Sequence, residues 1–176
     1  DLLCKVTPDR FSRLVDVLTL FRPGPLQSGL VDEYLDRRHG RQGRRGPIGV
    51  VVQEIEEILS DTYGIILYQE QIMDLAVRLA GFSMGDADLF RVAVRKSDAE
   101  KYRIQFIDGG VRNGLLQRRM EQLFDQIVRE SGYSFCKAHA VSYGLILYRT
   151  AYLKCHWPEE YCAAVEGVGS GEGISI

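Results

Sequence analysis

The apolar residues of this chain recur at helical spacing along almost its whole length, and this constrains the fold more than any other feature. Between 116 and 128, for example, they repeat every three or four residues, and the run stops at Gly132. A half-buried strand would instead alternate apolar and polar residues. Only the short run Ile65-Ile66-Leu67 leaves a strand open as an alternative. The pattern therefore predicts a mainly α fold built from many helices.

Residues that favour or interrupt helices predict where the first elements begin and end. Thr7 can cap a helix that has Pro8 at its first position. One apolar stripe of that helix is formed by Phe11, Leu14, Val15 and Leu18. The segment Arg22-Pro23-Gly24-Pro25 must end it, because a proline lacks the backbone donor and restricts the residue before it. A second helix is expected over 30–39, with Gly40 as its C-terminal stop.

Two serine–acid pairs predict helix starts in the middle of the chain. After a helix expected over 65–80 come Ser83 with Asp86 and Ser97 with Glu100. Each pair fits a capping box, in which a serine oxygen and an acidic side chain accept hydrogen bonds from backbone donors of the first turn. Two further helices are therefore expected to begin at these serines.

The end of the chain divides into helix and tail. The last long helix is expected over 138–156, a short helix follows over 159–165, and the glycine-rich stretch beyond is expected to be flexible. The predicted organisation is one helical domain over 1–165 and a flexible tail over 166–176. A length of 176 residues is enough for one domain with its own hydrophobic core.

Composition indicates which class of protein this domain belongs to and in which compartment it would be found. Hydrophobic residues make up 45% of the chain and charged residues 26%, as in an ordinary globular protein. No apolar run approaches the ~20 residues that a membrane span needs. The four cysteines show no paired metal-binding spacing, so we expect reduced thiols and a cytoplasmic protein. Since the chain starts without Met or a signal peptide, we interpret it as an internal piece of a longer protein.

Five sequence blocks, lying in order between Phe21 and Tyr161, carry a family resemblance. They are FRPGPLQSGLVDEYLDRRHGR, TYGIILYQEQIMDLA, LAGFSMGDADLFRVAVRKSD, FIDGG and SGYSFCKAHAVSYGLILYRTAYLKCHWPEEY. One short motif could arise by chance, but five in order cover most of the chain. The chain resembles the fingers region of the bacterial DNA polymerase III alpha subunit, a C-family replicative polymerase.

The resemblance implies an irregular multi-helix fingers domain that takes part in DNA-directed DNA synthesis. The fingers would bind the incoming deoxynucleoside triphosphate and the primer-template DNA. Their partners would be the palm, the remaining polymerase domains and the replisome subunits. The Mg²⁺ ions of the family are held on palm aspartates outside this chain. We therefore expect no catalytic residue and no metal ligand here, and an inactive protein when the chain stands alone.

Three basic residues form the main candidate site for a triphosphate. Arg91 and Arg95 lie four residues apart on a predicted helix, so their guanidinium groups share a face, and Lys96 follows directly. Like charges at this spacing destabilise an isolated helix by roughly 0.2–0.5 kcal/mol, which favours a bound anion between them. Arginine suits phosphate because its planar fork donates two hydrogen bonds at once. The alternative is a solvated basic face with Asp88 as a local partner.

The resemblance is imperfect at this site. The family has two adjacent arginines here and then a Gly-Lys-Lys run, whereas this chain has Arg91-Val92 followed by Arg95-Lys96-Ser97. One positive charge is lost and another is gained one helical turn away. We expect Arg95 to replace part of the missing arginine, so that its loss would weaken nucleotide binding about as much as the loss of Arg91.

Lys137 and His139, at the start of the last long helix, are further candidate contacts for phosphate or primer-template. The family usually has Asn-Lys-Ser-His here, and this chain has Cys136 and Ala138 in place of the two small polar residues. The alternative for His139 is that it caps or is buried against a neighbouring helix. Cys136 and His139 cannot share a zinc ion with Cys155-His156, which lies ~25 Å away along the same predicted helix.

Other basic residues are candidates for contacts with DNA. Arg22 lies beside two prolines, and Arg41, Arg44 and Arg45 lie in a glycine-rich loop. Contacts from such residues to the phosphate backbone position DNA without reading its sequence. The alternatives are a rigid structural corner at Arg22 and a plain surface loop for the other three. The polar segment Tyr68–Gln71 is interpreted as a solvated or helix-bridging face.

A second class of function stays open from the sequence. The chain could be a stand-alone or degenerate helical module that binds nucleotide or nucleic acid without polymerase activity. The departures at Val92, Cys136 and Ala138 slightly favour it, as does the glycine-rich segment 166–173, which resembles one that the family normally has well downstream. A specialised error-prone relative of the replicative enzyme is not distinguished by these residues.

Overall fold

The computed structural model describes residues 2–41 and 53–169, and within these ranges the chain is mainly helical. A single parallel bridge between Tyr68 and Phe135 is the only β-type pairing in the described part. The prediction of a mainly α fold is confirmed. The helices are α1 Leu2–Val6, α2 Phe11–Leu20, α3 Pro23–Gln27, α4 Leu30–Arg38, α5 Gln53–Leu59, α6 Gln69–Ala80, α7 Met84–Arg95, α8 Arg103–Arg112, α9 Gln117–Ser131, α10 Lys137–His156 and α11 Pro158–Gly169, with short 3₁₀ turns at Ser60–Thr62 and Ala99–Tyr102.

The predicted start of the helix capped by Thr7 is wrong. Residues 2–6 form α1, and Thr7 follows its end in a left-handed conformation, with φ 46° and its N–H donated to the Leu3 carbonyl at 2.8 Å. Pro8 has no backbone donor with which to continue α1. Helix α2 therefore begins only at Phe11, after Arg10 at its N-cap position. The predicted corner after α2 also contains a short helix, α3, because Pro23 is favourable at a first helical position.

The predicted helix over 65–80 is wrong in its first four residues. The segment 65–68 is extended and fully buried, and α6 begins at Gln69. The Gln71 side-chain oxygen accepts hydrogen bonds from the backbone N–H groups of Leu67 and Tyr68, both at 2.9 Å. These bonds hold the segment extended just before the helix. The apolar pattern did not reveal this, because four consecutive apolar residues can be buried either as a helix or as an extended segment.

The two predicted capping boxes have different outcomes. The Ser83 hydroxyl oxygen accepts a hydrogen bond from the Asp86 N–H at 3.1 Å and caps α7, as predicted. The other half of the box differs, because the Asp86 carboxylate accepts from the Ser83 hydroxyl, at 2.7 Å. Ser97 lies outside a helix with φ 60°, and α8 begins only at Arg103, after a 3₁₀ turn. The predicted helix start at Ser97 is therefore wrong, because the chain first makes a tighter turn against α7.

Helices α5 to α9 surround what we call the first core. At its centre four phenylalanine rings pack edge to face, tilted or stacked, with the centroids of contacting rings 5.5–6.2 Å apart: Phe82, Phe90, Phe106 and Phe124. Gly109 lets α8 approach α6 closely, since a Cβ atom there would lie 2.0 Å from the Ala80 carbonyl oxygen. This core is formed by apolar packing of neighbouring helices.

Helices α1, α2 and α4, the extended segment 65–68 and the start of α10 surround a second core. It contains a buried polar network as well as apolar side chains. The Asp16 carboxylate accepts hydrogen bonds from Arg13 (3.0 Å), the Tyr34 hydroxyl (2.7 Å) and the Tyr68 hydroxyl (2.6 Å). The buried side of α2 therefore includes Arg13 and Asp16, while Phe11 of the predicted apolar stripe is exposed.

Helices α10 and α11 extend from these two cores with most of their surface exposed. Only Ala140 and Gly144 of α10 are buried, and Gly144 faces Val15 and Phe11 of α2. Helix α11 continues to Gly169, four residues beyond the predicted domain boundary at 165. The rest of the predicted tail, 170–176, lies outside the described residues. None of the described helices is long and apolar enough to cross a membrane.

Candidate functional site

The seam between the two cores brings the start of α6 against the start of α10. The Gln69 N–H donates to the Phe135 carbonyl at 2.9 Å, and the Phe135 N–H donates to the Leu67 carbonyl at 3.0 Å. These two bonds form the isolated bridge and tie together segments more than 60 residues apart in sequence. Several of the basic residues singled out in the sequence lie around this bridge.

Arg91 reaches the seam from α7 but has partners of its own. Its Nη1 donates to the Gln69 side-chain oxygen at 2.9 Å, while Nε and Nη2 lie 2.9 and 2.8 Å from one carboxylate oxygen of Asp88. The pairing with Asp88 that the sequence offered as an alternative is therefore present. The side chain stays 21% exposed, so an incoming anion would share this guanidinium with Asp88.

Arg95 and Lys96 lie at the end of α7 and are exposed. Within the described residues neither side chain takes part in an ion pair. Arg95 lies near Arg22, since burial first and the positive charge of Arg95 second lower the pKa of the Arg22 guanidinium. Arg22, at the N-cap of α3, and Arg95, at the end of α7, thus add two positive charges to this part of the seam, and neither takes part in an ion pair of the described residues.

Arg22 is mostly engaged within the protein. Its Nε donates to the Thr19 carbonyl at 2.7 Å, its Nη2 donates to the Tyr133 carbonyl at 2.6 Å, and the guanidinium lies 4.5 Å from the centroid of the Phe135 ring. These contacts fasten the end of α2 to the loop before α10. They match the structural corner that the sequence offered as the alternative to a DNA contact.

Lys137 and His139 lie exposed in the first turn of α10, directly after the bridge residue Phe135 and the N-cap residue Cys136. The Lys137 Nζ lies 5.4 Å from the centroid of the Tyr68 ring. The His139 ring packs against Phe135 at 5.4 Å and against Tyr143 at 4.6 Å. Because His139 is exposed, the alternative prediction that it is buried against a neighbouring helix is wrong, and its side chain is accessible to solvent.

Glu70 is a residue of this seam that the sequence did not single out. Both of its carboxylate oxygens accept the Lys137 N–H, at 2.9 and 3.0 Å, at the N-terminus of α10. The segment Tyr68–Gln71 is therefore helix-bridging, as one of its two interpretations held, but it is not solvated, since Tyr68 and Gln71 are buried. An acidic residue has no pattern that points to a helix 67 positions later, so no sequence signal could have found this contact.

The remaining candidates lie apart from the seam or outside the described residues. Arg41 is exposed just after α4, and its N–H donates to the Asp36 carbonyl at 2.9 Å. Arg44 and Arg45 lie outside the described residues. Cys136 and Cys155 lie at opposite ends of α10, as expected. Across residues 2–41 and 53–169, no group of three or more His, Cys, Asp or Glu side chains is placed to hold a metal ion.

An open pocket of about 220 Å³ lies elsewhere, between α4 and the end of α9. Its walls include Glu33, Arg37, Arg129 and Glu130. It holds none of the basic residues singled out in the sequence. We therefore regard the electropositive seam, rather than this pocket, as the candidate functional site.

Comparison with known proteins identifies the family of the chain. The sequence profile described as the bacterial DNA polymerase III alpha subunit finger domain matches residues 1–114. The DNA polymerase III subunit alpha of Aquifex aeolicus is 43% identical over 166 residues, which cover 93% of this chain and 14% of the relative. That of Haemophilus influenzae is 43% identical and that of Escherichia coli K12 is 41% identical, each over 94% of this chain and 15% of the relative.

The chain thus spans about 15% of the length of these relatives, and its similarity to them extends over nearly all of its residues. The profile alone matches well over half of the chain and includes helices α1 to α8. The chain belongs to the finger-domain family of the bacterial DNA polymerase III alpha subunit.

Proposed function

We propose that this chain is the fingers part of a bacterial replicative DNA polymerase and binds the triphosphate of the incoming deoxynucleotide. The observation that carries the proposal is the convergence of basic side chains from α7 and α10 on one seam. Arg91 donates a hydrogen bond to the side chain of Gln69, and the ammonium group of Lys137 lies over the ring of Tyr68, which directly precedes Gln69. The triphosphate would lie along this seam.

The charges of the seam suit phosphoryl transfer. The leaving pyrophosphate gains negative charge as the new bond forms, and cations fixed nearby stabilise that charge. Arg95 and Lys96 are exposed and in no ion pair of the described residues, so they can meet phosphate oxygens without first losing a partner. Arg91 would exchange part of its pairing with Asp88 for the ligand. His139 would contribute a ring donor beside Lys137.

The remaining components of the reaction would lie outside this chain. The Mg²⁺ ions would be held by carboxylates of the palm, and the chain alone would not extend a primer. Primer-template DNA would contact the basic surface, with Arg41, Arg44 and Arg45 as candidates for phosphate contacts. The subunit would work in the cytoplasm with the other replisome proteins.

The exposed surface of α10 and α11 supports a further part of the proposal, a contact with the rest of the polymerase. Exposed apolar side chains occur on all sides of α10 and continue into α11: Tyr143, Leu145, Ile146, Tyr148, Tyr152, Leu153, Trp157 and Val165. A helix that is apolar all round is normally buried. The palm and the domains beyond it would cover this surface.

Equilibrium binding tests the nucleotide site. Titration of the chain with dATP should show saturable binding, and Arg91→Ala and Arg95→Ala should each raise Kd about tenfold through the loss of a charge-assisted contact. Arg112→Ala is the matched control, because Arg112 is an exposed arginine at the end of α8, next to the opposite end of α6. Equal losses in all three variants, or no binding at all, would contradict the proposed site.

A chimera tests the polymerase role. The matching segment of the Escherichia coli subunit would be replaced by this chain, and primer extension would be measured. We expect activity in the chimera, a loss of at least tenfold with Arg91→Ala, and no extension by the chain alone. A correctly folded but inactive chimera would instead favour a degenerate module that keeps the fold without the reaction.

A further inference from the structure

The N-terminus of α10 has no cap from its own residue. The first N–H groups of a helix have no partner within the helix, and a side chain of Ser, Thr, Asp or Asn at the N-cap position usually accepts one of them. Here the N-cap residue is Cys136, and its side chain accepts no hydrogen bond from the helix. A cysteine thiol is a weak acceptor. The first turn of α10 therefore depends on a partner from elsewhere.

Glu70 is that partner. Both carboxylate oxygens accept the Lys137 N–H, and the Cys136 Sγ lies 3.7 Å from one of them. A carboxylate at this end of a helix also interacts favourably with the helix dipole. Glu70 itself is held in place, because it lies in the first turn of α6 between Gln69, which bonds to Phe135, and the buried Gln71.

We propose that Glu70 is a positioning residue that fixes the start of α10 and thereby orients Lys137 and His139 at the seam. This inference rests on the proposed function, since it concerns the same nucleotide site. The contacts of Lys137 with Tyr68 and of His139 with Phe135 both depend on where α10 begins. Without Glu70 the first turn has no acceptor for its leading N–H and frays, which moves both basic residues away from the bound phosphates.

Two substitutions at Glu70 test the contact in the whole 176-residue chain. Glu70→Ala should raise the Kd for dATP about fivefold, in line with the loss of one helix cap, and Glu70→Gln about twofold, because an amide oxygen still accepts the bond without the charge. The exchange rate of the Ala140 N–H, which bonds to the Cys136 carbonyl at 3.1 Å in the first turn, should rise by similar factors. Asp74→Ala is the control, since Asp74 is exposed one turn further along α6.

A variant with a second N-cap on α10 distinguishes a positioning role of Glu70 from a general loss of structure. Cys136→Asn supplies an N-cap acceptor at the start of α10. In that background Glu70→Ala should change the Kd and the Ala140 exchange rate by less than about twofold. Equal losses with Cys136 and with Asn at this position would overturn the inference, as would an unchanged exchange rate in Glu70→Ala. Hydrogen exchange needs no nucleotide, so absence of dATP binding in every variant would contradict the proposed function alone.

Discussion

The two cores of this protein are held together by different forces. In the first core, four phenylalanine rings and the surrounding aliphatic side chains pack between α5 and α9. In the second core, a buried aspartate binds an arginine of its own helix, α2, and two tyrosine hydroxyls from two other segments of the chain. The first depends on how much apolar surface is buried, and the second on whether each polar group keeps its partner.

The difference explains where sequence reasoning succeeds. Apolar spacing predicts α9, and serine capping predicts the start of α7, because both features belong to single helices. The buried face of α2 is not predicted, because Arg13 and Asp16 are inside only when Tyr34 and Tyr68 arrive from later segments. The candidate site lies at the seam where the two kinds of core meet.

The largest expected effect is in the first core. Phe106→Ala removes a fully buried ring that contacts three other phenylalanines, and it should lower the free energy of unfolding by about 4 kcal/mol. Urea denaturation measures this loss. Ile104→Ala is the control on the same helix, since Ile104 is 74% exposed and should change stability by less than about 0.5 kcal/mol. A small loss at Phe106 would show that this core repacks freely.

The next largest effect is expected in the second core, where the loss comes from unpaired buried polar groups rather than from lost apolar packing. Asp16→Ala leaves the Arg13 charge without its carboxylate partner, keeping only the Asp61 carbonyl, and leaves two buried tyrosine hydroxyls without their acceptor. It should destabilise the fold by about 3 kcal/mol. Adding Arg13→Met should recover part of that loss, because it removes the stranded charge. Denaturation of the single and double variants measures the coupling. Simple additivity would mean that the network is not a unit, and that the two cores respond to substitution in the same way.

A smaller effect is expected at the seam. Arg22→Ala removes two hydrogen bonds to backbone carbonyls and the contact with Phe135, and should cost about 2 kcal/mol. Arg22→Lys should recover only part of it, since an ammonium group cannot reproduce the planar fork. Hydrogen exchange should show lost protection at residues 133–135 and unchanged protection in α8. Uniform loss along the chain would mean that the cores are not joined mainly here.

The smallest effect concerns pH. Burial raises the pKa of the Glu130 carboxyl above its ordinary value of 4.5, although the Ile66 N–H, which donates to it at 3.0 Å, opposes the shift. The folded protein therefore holds this proton more tightly than the unfolded chain does. Stability should fall as pH rises from about 4.5 through the raised pKa, with a slope of at most about 1.4 kcal/mol per pH unit.

Glu130→Gln checks this pH dependence, because an amide can still accept the Ile66 hydrogen bond but does not titrate. Thermal melting from pH 4 to pH 8 should give a flatter stability profile in the variant than in the parent chain. Glu121→Gln is a control, since it removes a carboxylate from the same helix, α9, at a position that is not buried. Identical slopes in the parent and Glu130→Gln would assign the pH dependence to other groups.

The candidate site was predicted only in part from the sequence. Spacing singled out Arg91, Arg95 and Lys96, and the family resemblance singled out Lys137 and His139. The structure brings the starts of α6 and α10 together, with contacts from Arg91, Lys137 and His139 to the joined segments. A structural corner at Arg22 and a helix-bridging role for Tyr68–Gln71 were among the interpretations, but the backbone partners of Arg22 and Glu70 were not foreseen. Both bond to backbone groups more than 60 positions away, and a backbone N–H or carbonyl leaves no mark in the sequence.

The helical spacing of the apolar residues, by itself, determined that this chain folds as a set of helices, because the period of burial is a property of each segment alone. Tertiary structure decided the remainder. Residues 65–68 are extended rather than helical, and α8 begins only at Arg103. The charged pair Arg13–Asp16 lies on the buried face of α2, and most of α10 is exposed. Each of these depends on partners from distant segments, whose hydrogen bonds and packing outweigh local preference.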